Sequence, residues 1–135
     1  MGSVAQQRLR EIAAGCRALA YPCMFPETSC IAAMEAMASG CVVVGTQLGA
    51  LPETAWRNPL VPLRADWADL WVEELLRVLS NDAYYELIAS DNLRLAELMG
   101  WSGVARRWLM RFQSDSIKRA WQEEQAGKSS ASSHQ

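Results

Sequence analysis

Apolar and polar positions alternate along this chain in two distinct periods. Val4 to Gly15 places Val4, Leu9, Ile12 and Ala13 near one face and Arg8, Arg10 and Glu11 on others, the pattern of an amphipathic helix stopped at Gly15. Arg17 to Tyr21 is a short apolar run closed by Pro22, which predicts a buried strand. Cys23 to Thr28 reads as a loop, with Pro22 and Pro26 on either side of a Met-Phe pair. A helix is predicted from Thr28 or Ser29, either of them a good N-cap, through strong helix formers to Ser39-Gly40. Cys41 to Val44 is a β-branched run buried on both faces, as in a parallel sheet, and Gly45 to Gly49 is the loop at its carboxyl end. Leu51 to Trp56 predicts a helical turn, Asn58-Pro59 a turn and Leu60-Val61 a third short strand.

Beyond Asp66 the period becomes helical throughout. Asp66 to Leu79 carries Trp67, Leu70, Trp71, Leu75 and Val78 at helical spacing, with Asp66 as cap. Asp82 to Met99 repeats the pattern and closes at Gly100. Trp101 to Phe112 is a further amphipathic helix, which Ser116 to Gln125 could extend. The expected fold is therefore α/β: a truncated Rossmann-like half-domain with a short parallel sheet and a helical C-terminal tail. Residues 1–113 form the partial domain, 114–126 a possible helical extension and 127–135 a disordered polar tail.

Composition narrows the function classes. The chain has 135 residues, half of them apolar and 21% charged, which fits one small globular domain. A net charge of −2 argues against nucleic acid or an anionic membrane as main partner. No apolar run approaches the roughly 20 residues of a membrane span, and the N-terminus lacks the basic start and apolar core of a signal peptide. A cytoplasmic protein is expected. Cys16, Cys23, Cys30 and Cys41 form no Cys-x-x-Cys pair, so they read as reduced and buried rather than as a metal site. Six tryptophans are many for this length, some for the core and some for an interface.

The candidate chemistry lies in Tyr21 to Gly49. Glu27 stands in the loop that opens the predicted helix, and Glu35 stands inside the otherwise apolar helix, seven residues between them. A carboxylate among apolar residues costs free energy unless something pairs with it. In one reading Glu35 meets an arginine and Glu27 is loop surface. In the other, a helix N-terminus with free N–H groups receives a phosphate. The two carboxylates, about 9 to 12 Å apart along the axis, then accept hydrogen bonds from sugar hydroxyls. The second reading suggests a phosphorylated polyhydroxy ligand.

These residues resemble the donor-binding segment of retaining glycosyltransferases of the GT-B fold, of the group 1 or family 4 type. Pro22, Glu27, Glu35 and AMASGCVVV from Ala36 match the family's signature. Gly49-Ala50-Leu51-Pro52-Glu53 resembles its Gly-Gly-x-x-Glu turn, and the likeness extends over roughly residues 8 to 113. The resemblance implies that Glu27 contacts donor hexose hydroxyls and Glu35 the nucleotide ribose. It implies that backbone at Thr28, Ser29 and Cys30 meets the sugar, with Cys30 and Ile31 at the phosphates. No metal and no cofactor are implied beyond an NDP-sugar donor, and no catalytic group is assigned. Thr28, Ser29 and Cys30 stand where many relatives have Gly-aromatic-Gly, and Ala50 where they often have a second glycine. The resemblance further implies a basic diphosphate-binding pair and an acceptor domain that this sequence does not contain.

The expected function is thus the nucleotide-sugar-binding part of a hexosyltransferase, completed by a partner chain or missing segments. Two alternatives stand beside it: an inactive remnant serving as a self-associating scaffold, and a regulatory domain that binds nucleotide without turnover. A homo-oligomer is expected because two or three strands cannot cover both edges of a sheet.

Overall fold

A computed structural model describes residues 4–132 of the chain, and side-chain surroundings as far as residue 123. In chain order the elements are α1 (Gln6–Ala14), β1 (Ala18–Ala20), α2 (Ile31–Ala38), β2 (Val42–Thr46), α3 (Leu51–Thr54), β3 (Leu60–Val61), α4 (Trp67–Ser80), α5 (Asp82–Met99) and α6 (Trp101–Ser132). The chain divides after Met99 into two compact units, the second formed by α6. The fold is α/β, as the hydrophobic periods predict.

The sheet has the order β1-β2-β3, all parallel. Ala18 pairs with Val42 and Ala20 with Val44 on one side of β2. Gly45 pairs with Leu60 and Thr46 with Val61 on the other. A parallel pair needs a crossover, and α2 supplies it between β1 and β2. All five residues of β2 are buried. Val43 packs with Ala33 and Met37 of α2 and with Leu51 and Ala55, while Val42 and Val44 pack with Val78, Ile88 and Ala89 of α4 and α5. Each valine so enclosed contributes about 1.5–3 kcal/mol by burial, an upper bound.

Helices therefore cover both faces of the central strand. The Trp71 indole N–H of α4 also donates to the Val44 carbonyl at 2.8 Å. It is the tryptophan that serves the core. Trp56, Trp101, Trp108 and Trp121 are exposed, so the expected share of tryptophans in the core is smaller than their number suggests.

β3 is too short to pair with the start of β2. Asn58, two residues before Leu60, replaces it there: its Oδ1 accepts the Val43 N–H at 2.8 Å. Its amide N–H donates to Asn92 Oδ1 of α5 at 2.8 Å, and Asn92 Nδ2 donates to the Cys41 carbonyl at 2.8 Å. Both side chains are buried, Asn92 completely. A side-chain amide thus continues the ladder where backbone does not.

Some local details differ from expectation and others match it. α2 begins at Ile31, later than Thr28 or Ser29, because Cys30 adopts a left-handed conformation (φ 49°, ψ 65°) that helical backbone does not continue through. The residue at the N-cap position is then Cys30, and no side chain caps it. Gly40, with φ +85°, ends α2 as predicted. α6 runs unbroken to Ser132 and so enters the polar segment 127–135. Gly127 is the one strong helix-weakening residue in that stretch, and residues 133–135 of the segment lie outside those described. Finally, Cys30 and Cys41 are buried but Cys16 is exposed and Cys23 half-buried, and all four are free thiols.

Asn92→Ala is expected to leave the Asn58 amide and the Cys41 carbonyl without their partner in a buried site. Urea unfolding of the variant will show a loss of about 1–3 kcal/mol relative to the parent, with the slope unchanged if the native state stays compact.

Candidate functional site

The carboxyl ends of β1 and β2 each feed a loop, and the two loops are bound to each other. Thr46, the last residue of β2, donates its hydroxyl to the Cys23 carbonyl at 2.6 Å. The Ala50 N–H donates to the Glu27 carbonyl at 2.8 Å. Thr54 of α3 donates its hydroxyl to the Ser29 carbonyl at 3.0 Å. Residues 23–29 are thereby fixed at three carbonyls, all by groups from β2 onward.

Gly49 makes the middle contact possible. Its φ is +57°, and a Cβ there would lie 2.6 Å from the Glu27 carbonyl oxygen and 2.7 Å from the Glu27 nitrogen. Only glycine allows the turn and the close approach together. Alanine follows at position 50, where its N–H is used rather than its side chain.

The Glu27 side chain is held from the other direction. The Tyr21 hydroxyl donates a short hydrogen bond to Glu27 Oε1, and the Cys23 thiol approaches the same oxygen at 3.8 Å. The Tyr21 hydrogen bond, then that of Cys30, lowers the pKa of Glu27 from its ordinary value. The same bond raises that of Tyr21, and burial adds to the rise. Cys30 is pushed up first by burial and then by its contact with Glu27.

Cys30 is the one described non-glycine residue with positive φ. A left-handed backbone costs an L-residue about 1–2 kcal/mol. Against that cost, its side chain is 4% exposed and packs with Ala33, Met37, Val43, Leu51 and Ala55. Burial of the thiol holds the backbone in a conformation that glycine would adopt freely.

Residues 25–31 line a shallow depression of about 410 Å³. Glu27, Thr28, Ser29, Cys30 and Ile31, the expected sugar and phosphate contacts, therefore stand together. Phe25 and Ile31 form exposed apolar walls at 71% and 66% exposure. Ile31, the first residue of α2, lines it too, and its N–H meets no acceptor among the described residues.

Glu35 lies elsewhere. It lines a separate cavity of about 130 Å³ with Leu9, Arg10 and Ala13 of α1 and with Leu19, Ala32, Ala36 and Ser39. Its Oε1 accepts the Gln6 side-chain N–H at 2.5 Å. The partner is thus an amide from α1, not an arginine. Arg17 and Arg57 are also engaged away from the depression. Arg17 pairs with Asp82 at 2.7 Å and covers the Tyr85 ring, and Arg57 pairs with Asp91 at 2.5 Å and covers the Trp56 ring. Among the described residues no group of three His, Cys, Asp or Glu side chains is arranged to hold a metal ion, and no helix is long and apolar enough to cross a membrane.

Tyr21 was not among the residues singled out by sequence. Its place at the end of an apolar strand, six residues before Glu27, was the available signal. The reversal of the loop at Pro22 to Pro26, which brings the two together, has no simple sequence rule.

The parallel sheet with helices on both faces is that of a Rossmann-like half-domain, with the Glu27 loop at the carboxyl end of its strands. Residues 1–81 match the family Glycosyl transferases group 1, and the chain belongs to that family. It is 33% identical over 108 residues to a D-inositol 3-phosphate glycosyltransferase of Nocardioides sp.. The match covers 78% of this chain and 23% of that protein, so the chain spans about a quarter of the length of this relative. No solved structure matches the chain.

Gly49→Ala is expected to lower thermal stability more than Gly40→Ala. Both glycines have positive φ, but a Cβ at Gly40 meets nothing within 4 Å whereas one at Gly49 meets Glu27 backbone. Position 40 then costs about 1–2 kcal/mol for conformation alone, and position 49 adds displacement of the loop. Parallel thermal melts of the two variants check the order.

Proposed function

We propose that this chain is the donor-binding part of a retaining GT-B glycosyltransferase. An NDP-sugar sits against residues 27–31, and its hexose passes to an acceptor when further segments complete the site. Glu27 accepts hydrogen bonds from hexose hydroxyls. The backbone of Thr28, Ser29 and Cys30 contacts the sugar. The N–H groups of Cys30 and Ile31 at the start of α2 receive the phosphates, aided by the helix dipole. Glu35 takes the ribose hydroxyls, exchanging its hydrogen bond from Gln6 for them.

The observation that carries the reading is the fixation of Glu27. Its backbone is held by Ala50 and its side chain by Tyr21. A loop held only for stability needs no oriented carboxylate, whereas a sugar hydroxyl does. Membership of a glycosyltransferase family supports transfer as the reaction class. The relative's name supports the same class.

A second reading rests on a different observation. β1 and β3 are edge strands among the described residues, and Ile117, Trp121 and Trp108 of α6 are well exposed. Such surfaces suit self-association or a partner chain, and a scaffold role would use them without a ligand.

Calorimetry separates the two. Titration with UDP-, ADP- and GDP-sugars is expected to give heat with at least one of them. Glu27→Ala and Glu35→Ala are each expected to weaken that binding about tenfold or more, the worth of a charged hydrogen bond. No heat at millimolar sugar would defeat the donor-binding reading and leave the scaffold.

A further inference from the structure

Glu27 has two carboxylate oxygens, and the protein uses them unequally. The two side-chain hydrogen bonds of defined geometry end on Oε1, one from the Tyr21 hydroxyl and one from the Cys23 thiol, while the Cys30 thiol also faces the carboxylate. We propose that Tyr21 is a positioning residue for Glu27: its hydroxyl ties down Oε1 and leaves Oε2 as the acceptor for a ligand hydroxyl. The proposal rests on the donor-binding reading for the ligand, and on geometry alone for the tether.

Three observations carry it. First, Tyr21 stands one residue beyond β1, and its N–H donates to the Val44 carbonyl at 2.8 Å, so its backbone is part of the rigid sheet. Second, its ring packs against the core around Met37 and Val43, which fixes the direction of the hydroxyl. Third, Glu27 itself lies on a loop, where a free carboxylate would sample several rotamers. A rigid phenol thus removes that freedom before a ligand arrives, and less ordering remains to oppose binding.

The ring alone would satisfy packing. Phenylalanine would fill the same space in the core, so only the hydroxyl is left to explain, and its partner is Glu27. The titratable groups that face Glu27 are Tyr21 from the end of β1, Cys23 within the loop and Cys30 ahead of α2. None of them is cationic. The carboxylate is therefore kept ionised by hydrogen-bond donors rather than by a basic residue, and the strongest of them is Tyr21.

The sign of the pH dependence follows. The folded-state pKa of Glu27 is depressed, so the tether is present above the unfolded value and is lost as pH falls through the folded one. Removing the hydroxyl abolishes the tether and moves the titration of Glu27 to higher pH.

The test uses Tyr21→Phe, Glu27→Gln and the double variant of the full chain. Two readouts apply: titration of the Glu27 side-chain carboxyl by carbon NMR, and calorimetry with UDP-glucose, ADP-glucose and GDP-mannose. Thermal melts verify that each variant folds. Tyr21→Phe is expected to raise the Glu27 midpoint toward the ordinary value of about 4.3 and to weaken sugar binding roughly three- to tenfold. In the Glu27→Gln background the same change is expected to cost much less, because the charged partner is gone. An unmoved midpoint overturns the tether. Equal losses in both backgrounds, or a raised midpoint with unchanged affinity, overturn the positioning role. A parent chain that binds none of the three sugars defeats the donor-binding reading and the ligand half of this proposal. The NMR midpoint then still decides the tether by itself.

Discussion

Val42, Val43 and Val44 have no contact with solvent, and the placement of the surrounding elements follows from that. A strand buried on both faces needs cover on both. α2 lies on one side with Ala33 and Met37, and α4 and α5 lie on the other with Val78, Ile88 and Ala89. The same strand needs partners at both edges. β1 supplies one along its length. β3 pairs only with the last two residues, and the Asn58 amide accepts the Val43 N–H ahead of them. Burial of such an amide is tolerable only because Asn92 satisfies it in turn. A polar pair inside the core is thus a consequence of a strand that is two residues too short.

The same strand positions the site. Its carboxyl end is where Thr46 takes hold of Cys23, and the turn beyond it is where Gly49 and Ala50 meet Glu27. The candidate loop has little core of its own. It is held mainly by hydroxyls and N–H groups directed at its carbonyls, with the Cys30 side chain in the core and Glu27 tied to Tyr21. This division explains why the depression is shallow but its backbone is well determined.

Much of this was legible in the residues. The β-branched run at Val42 to Val44 announced a doubly covered strand, and the single helix between two apolar runs announced that they are parallel. Gly40 marked the end of α2 by its chemistry. The start of α2 was misread for a physical reason. Thr28 and Ser29 carry capping hydroxyls, but Cys30 turns left-handed, so those hydroxyls lie outside the helix. Glu27 and Glu35 were visible as carboxylates in unusual company. Their separation into two cavities was not, because it depends on where α1 lies and on Gln6, a residue of no particular signal. The Tyr21 contact was hidden likewise by a proline-rich reversal whose path is set by the tertiary bonds described above.

Cys30 carries a consequence for how this sequence can change. Its backbone favours glycine, while the space around its thiol favours a side chain. Replacement by glycine relaxes the first and empties the second. The two demands are satisfied together only if Met37, Val43 or Ala55 gains the volume that position 30 gives up. A Cys30→Gly change therefore relaxes the backbone only at the cost of a gap in the core. The conformation of the loop at Cys30 is thus tied to the volumes of residues in the core beneath it.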